Sequence, residues 1–132
     1  MKSDPDRRQR GAQKIGEILG QTAEQVEKSL GDIAPGLATY VLETIYGDIY
    51  QSPVLDSHTR QIVTVAALAT LGTAAPQLRT HIGGAMKCGV SREELVEIMM
   101  QLVPYVGVAA AINGVIACRE VFAAQDANGT KA

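Results

Sequence analysis

Leu95, Ile98, Met99, Leu102 and Val103 recur at i, i+3, i+4, i+7 and i+8, while Glu93, Glu94 and Glu97 take the opposite face. That stripe predicts an amphipathic helix. Ser91-Arg-Glu-Glu94 in front of it has the form of a capping box, and Pro104 is expected to end or kink it. The rest of the chain reads the same way. A first helix is expected over Arg7 to Leu19, stopped by Gly20. Thr22-Ala-Glu-Gln25 opens a short second helix ending near Gly31. A third runs from Pro35 to about Tyr50, with Leu37, Val41, Ile45 and Ile49 at helical spacing. Gln51-Ser52-Pro53 breaks the chain. Asp56 or Ser57 then caps a fourth helix through Leu71, ended by Gly72. Thr73 or Ala74 leads into a fifth, with Pro76 in its first turn, where a missing N–H costs little, and Gly89 stops it. A last helix spans about Val106 to Ala124, with Gly107, Ala109, Ala110, Ala111, Gly114 and Ala117 small enough to let helix backbones approach closely. Residues after Gln125 read as a frayed tail. No segment alternates with period two and no internal repeat stands out. The expectation is one all-α domain over 1–132, of about six to seven helices, with its core over about 8–124.

Composition narrows this picture. A length of 132 residues suits one domain with a real core. Apolar residues make up 46% and aromatics 4%, with no Trp, so Ala, Val, Ile, Leu and Met must build that core. The net charge of −2 gives no electrostatic reason to expect nucleic acid or an anionic membrane as partner. Lys2, Arg7, Arg8 and Arg10 are interrupted by Asp4 and Asp6 and read as a solvated helix face. The N-terminal MKSDPDRRQR carries no apolar segment, so a cytoplasmic protein is expected. Cys88 and Cys118 form no C-x-x-C pattern and read as reduced thiols. Two long stretches, Gln61 to Leu78 and Ile98 to Cys118, carry no charge. We read both as helices buried in protein; a chain this small has little interior for two such helices, which points to a homo-oligomer.

Few residues carry evident chemistry. His81 shares a helix face with Leu78, Ile82 and Ala85. An imidazole there can move a proton near neutral pH, or be a core histidine bonded to a carbonyl. Arg60 shares a stripe with Thr64, Ala67 and Leu71, as an ion-pair partner or an anion-binding group. Glu43, Tyr46 and Tyr50 fall on one face of the third helix and either line a pocket or form an amphipathic rim. His58 and His81 are too few for a metal site. No phosphate loop or G-x-S-x-G is present, and Gly83-Gly84 reads as a packing contact.

The order of residues nevertheless resembles a known family. Leu55-Asp56-x-x-Thr59-Arg60-x-x-x-Thr64-x-Ala66-Ala67-Leu68 is followed by Gly72, then by Leu78-x-x-His81-x-x-x-Ala85. Gly89-Val90-Ser91-x-Glu93-Glu94-x-x-Glu97, Gln101 and Tyr105-x-Gly107 continue the series, and Arg10-Gly11 to Ile18-Leu19-Gly20 is similar to the first helix. The set resembles the carboxymuconolactone decarboxylase family over roughly residues 8 to 122. It departs at Tyr50, Gln77 and Val108, near which the family usually has Trp, Glu and Pro.

The resemblance implies a compact helical fold assembling into ring-like trimers or hexamers, and one of two activities. Alkylhydroperoxidase D-like relatives are thiol oxidoreductases with C-x-x-C-x-x-x-H. Counted back from His81, those cysteine positions are Ala74 and Gln77, so the disulfide chemistry is unavailable. The decarboxylases convert 4-carboxymuconolactone to the 3-oxoadipate enol-lactone without metal or organic cofactor, in aromatic degradation. On that branch Arg60 would neutralise a substrate carboxylate and His81 would supply a proton or an oxyanion hydrogen bond. Glu43 would orient His81 or relay protons, and Tyr46, Tyr50 and, less directly, Tyr105 would line the pocket. The competing expectation is a non-catalytic oligomeric module that binds a small molecule or a partner protein.

Overall fold

The computed structural model describes residues 3–129, all of whose regular elements are helical. Lys2 and the last three tail residues lie outside that range. The chain forms two compact units, one ending at Leu55 and one beginning at Asp56.

In the first unit, α1 (Pro5–Leu19) starts earlier than its apolar spacing suggested, because the Asp4 carboxylate accepts from the amides of Asp6 and Arg7. An N-cap of this kind satisfies amides that the helix itself leaves open. The basic residues of α1 are paired: the Arg7 guanidinium bonds Asp48, and that of Arg8 bonds Glu27. Helix α2 (Ala23–Leu30) carries the expected capping box between Thr22 and Gln25.

The third expected helix is not one regular α-helix. It begins as α3 (Pro35–Thr39), widens into a π-helical segment (Tyr40–Tyr46), and ends in a short 3-10 turn (Ile49–Gln51). Burial also selects another face: Ala38, Leu42, Glu43 and Tyr46 turn inward, while Leu37 and Ile49 are 50% and 53% exposed. Leu37, Val41, Ile45 and Ile49 have the same four-residue spacing as Ala38, Leu42 and Tyr46, so spacing alone does not distinguish the two stripes. Across from this segment Gly11 packs so closely that a Cβ there would strike the Leu42 carbonyl oxygen; a Cβ on Gly47 would strike that of Arg7. The two glycines let backbone meet backbone.

The second unit holds α4 (Ser57–Leu71), α5 (Ala75–Lys87), α6 (Arg92–Val106) and α7 (Val108–Ala127). Asp56 caps α4 through the Thr59 amide at 2.8 Å, and Ser91 with Glu94 closes the capping box of α6. Val65, Leu78, Ile82, Ala85, Leu95, Met99 and Cys118 form the core. Full burial of a side chain such as Ile82 or Leu95 contributes about 1.5–3 kcal/mol. On α4 the inward residues are Gln61, Val65 and Ala69, whereas the Arg60–Leu71 stripe drifts from half-buried to exposed.

Pro104 does not end α6, which runs on to Val106. The proline removes a hydrogen bond to the Met100 carbonyl, but both residues lie on the exposed face, where water can serve that oxygen. The break comes at Gly107, whose φ of 92° is left-handed backbone that other residues rarely adopt. Helix α7 continues past the expected Ala124. Its Ala111, Gly114, Ala117 and Cys118 edge packs inward, and a Cβ at Gly114 would collide with the Met99 side chain. The other edge stays open. Met100, Val108, Ile112 and Ile116 are exposed around a groove of about 510 Å³, and α7 alone among the described helices is long and apolar enough to span a membrane.

Candidate active site

The short connection through Gly72 places α5 against α4, and Leu78, Ile82 and Ala85 anchor it in the core. His81, one position before Ile82, is consequently held at the edge of that core and only partly exposed. Its Nδ1 lies 3.0 Å from Oε1 of Gln61. Burial pushes the imidazole below its ordinary value of 6.5, with no charged neighbour contributing. A neutral ring is therefore the resting form near pH 7.

Gln61 is fully buried on the inward stripe of α4. Its Nε2 is a buried donor with no hydrogen-bond partner among the described residues. Leaving such a group unpaired costs about 1–3 kcal/mol, so stability alone does not account for a glutamine at this position. Sequence reasoning missed Gln61, following the Arg60 stripe instead. The available signal was its place four and eight residues before Val65 and Ala69, a lone amide on an otherwise apolar face. Arg60, the next residue along α4, is half-buried and engaged, its carbonyl accepting from Thr64 Oγ1 at 2.9 Å.

Tyr105 stands in the last turn of α6 and is 75% exposed. A cavity of about 190 Å³ between α4, α5 and α7 is lined by Leu68, Leu78, Arg79, Asn113 and Glu120 among others, and its lining includes neither His81 nor Arg60.

The remaining expected site residues belong to the first unit. Glu43 is 1% exposed in the π-helical segment, a turn type often found at functional sites. Its Oε1 accepts from Ser3 Oγ at 2.6 Å and from the Asp4 amide at 2.8 Å, and Arg7 approaches Oε2 at 3.7 Å. Tyr46 and Tyr50 pack with ring centroids 4.7 Å apart and planes tilted by 41°. Burial raises the Tyr46 phenol well above its usual value, keeping it protonated.

Thiol chemistry finds no support in the described residues. Ala74 and Gln77 flank the start of α5, and Cys88 and Cys118 form no disulfide among the described residues. Burial lifts the Cys118 thiol to about 11, far from a reactive thiolate. No cluster of three or more metal-ligating side chains occurs among the described residues.

Comparison with known proteins places the sequence in a family. Residues 35–120 match the model of the carboxymuconolactone decarboxylase family. The chain is 28% identical to the 4-carboxymuconolactone decarboxylase of Acinetobacter baylyi over 121 residues, covering 91% of this chain and 90% of that protein. It is 26% identical over 100 residues, 75% of each chain, to an uncharacterized 15.0 kDa protein from the nqo9-nqo10 intergenic region of Paracoccus denitrificans. The matched segment contains every candidate residue from Glu43 to Tyr105. On this match the chain belongs to the carboxymuconolactone decarboxylase family.

Proposed function

We propose that this chain is a cofactor-independent decarboxylase acting on a small carboxylated lactone of the 4-carboxymuconolactone type. The observation that carries the reading is His81, a neutral imidazole held at the core edge by Gln61, within the segment that matches the family. In such a substrate the departing carboxylate sits on a carbon conjugated through a double bond to the lactone carbonyl. Breaking that C–C bond releases carbon dioxide and sends the electron pair toward the lactone oxygen, giving a furan-like oxyanion. The substrate is its own electron sink. The protein's tasks are then to hold a dianion, stabilise the oxyanion and deliver a proton to carbon.

In this reading Arg60 neutralises a substrate carboxylate and His81 delivers the proton. Glu43, Tyr46, Tyr50 and Tyr105 are assigned supporting roles by family resemblance. The apolar edge of α7, with Val108, Ile112 and Ile116 exposed, supports a homo-oligomer in which a second copy covers it. The deciding experiment is an ultraviolet and NMR assay of purified protein with 4-carboxymuconolactone, beside a folded His81→Ala control. Enol-lactone formation lost in the control supports the assignment. No turnover from well-folded protein removes this substrate and favours a non-catalytic small-molecule-binding module.

A further inference from the structure

We propose that Gln61 is a positioning residue that makes His81 exchange protons through Nε2 alone. The amide oxygen of Gln61, not its nitrogen, faces His81 Nδ1 at 3.0 Å. A carbonyl oxygen only accepts, so the shared proton resides on Nδ1. In the neutral ring Nε2 then carries the lone pair. The arrangement also tolerates the imidazolium, because Nδ1–H keeps its acceptor when Nε2 gains a proton. An amide N–H turned toward Nδ1 would forbid that charged form. The carboxamide oxygen thus permits two protonation states and assigns the change between them to one atom.

The choice of an amide over a carboxylate has a chemical consequence. A carboxylate beside the ring would favour the imidazolium and weaken it as an acid; a neutral amide does not. Gln61 is fully buried between its neighbours on α4, which restricts its rotation. Its orphaned Nε2 fits a residue placed for the orientation of His81 rather than for its own satisfaction.

The role of this device in catalysis rests on the decarboxylase reading; the tautomer itself does not. In that reaction His81 Nε2 takes a proton from solvent as the dianionic substrate binds. After carbon dioxide leaves, the electron pair of the furan-like oxyanion forms the new C–H bond with that proton. The imidazole returns to its neutral form, so one solvent proton is consumed per turnover.

The test is long-range 1H–15N NMR of the uniformly labelled full chain, with His58→Asn used to assign the other histidine. The expected wild-type spectrum has a protonated Nδ1 and an unprotonated Nε2 at His81. Free histidine side chains favour the Nε2–H form, so Gln61→Met, with helicity checked by circular dichroism, should make that form the major one. Gln61→Glu should keep Nδ1–H and raise the titration midpoint of His81 by about one unit or more. A wild-type Nε2–H tautomer overturns the proposal, as does an unchanged tautomer in folded Gln61→Met. Should Gln61→Met not fold, the wild-type spectrum and the direction of the Gln61→Glu shift decide. An inactive protein that shows the expected tautomers keeps the positioning role and loses only the decarboxylase reading.

Discussion

Ser3 donates its hydroxyl to Glu43 Oε1 over 2.6 Å, tying the start of the chain to a carboxylate buried in the π-helical segment. The Asp4 amide joins it, so the residue that caps α1 also helps solvate Glu43. Oε1 is supplied with donors and holds structure together, whereas Oε2 has no hydrogen-bond partner among the described residues and leaves one face of the carboxylate open to chemistry. Glu43→Ala strips the acceptor from the Ser3 hydroxyl and the Asp4 amide, removes the ion-pair partner of Arg7, and should lower stability by about 1–3 kcal/mol, read as a reduced urea midpoint. Glu43→Gln keeps the shape and one acceptor oxygen. Retained turnover in that folded variant would assign Glu43 to structure; a loss larger than the stability change explains would restore it to the reaction.

Stability should depend on pH through His81. Its folded value lies below the ordinary 6.5, so between the two values the unfolded chain binds the extra proton. The contribution is complete above about pH 6.5 and is lost as the pH falls through the folded value. The carboxylates of Asp48, Asp56, Glu94 and Asp126 are all held below their usual values and act in a more acidic window. Denaturation curves at about pH 7 and pH 5 should therefore lie closer together in His81→Gln than in the parent chain. Equal separations in the two proteins would contradict the burial of the ring.

Arg60 is expected to act on the substrate rather than on the fold. Arg60→Ala should reduce turnover by about 100-fold, the scale for losing one charged stabiliser, with a shift of the thermal midpoint too small to explain it. Arg60→Lys should recover only part, because a point charge replaces a bidentate fork. A variant whose activity loss follows its unfolding would remove Arg60 from the substrate's contacts.

The open edge of α7 should respond to charge. Ile112→Glu or Ile116→Glu places a carboxylate among Met100, Val108 and their neighbours. Light scattering after size exclusion should show smaller particles than the parent protein forms, and the parent's melting temperature should rise with concentration. A parent chain that runs as a monomer would overturn the covering of this edge by a second copy.

Local chemistry made most helix boundaries legible. Thr22 with Gln25, Ser91 with Glu94, and Asp56 each satisfy amides within their own first turn, so a few neighbouring letters suffice. What escaped depends on partners far along the chain or on geometry with two readings. The early start of α1 rests on Asp4 taking a cap role that no apolar spacing announces. The π-helical widening lies between two stripes of equal period, and only packing picks Tyr46 over Ile49 as the inward residue. Helical spacing drew attention to Arg60 and His81, and the family resemblance supplied their expected roles; Gln61, between an arginine and an apolar run, gained meaning only when α5 came to rest against it.

The backbone-to-backbone meeting at Gly11 and Gly47 bears on how this chain can vary. The carbonyl oxygens of Leu42 and Arg7 occupy the places where any side chain would begin. Relief would require moving a whole helix, not turning a rotamer. In a library of every single replacement, sorted for folded protein, these two positions would emerge as nearly empty columns in which even alanine is missing. Exposed Gly36, with nothing within reach of an added Cβ, would fill freely. Gly11 and Gly47 are two letters held by packing, and neither belongs to the chemistry.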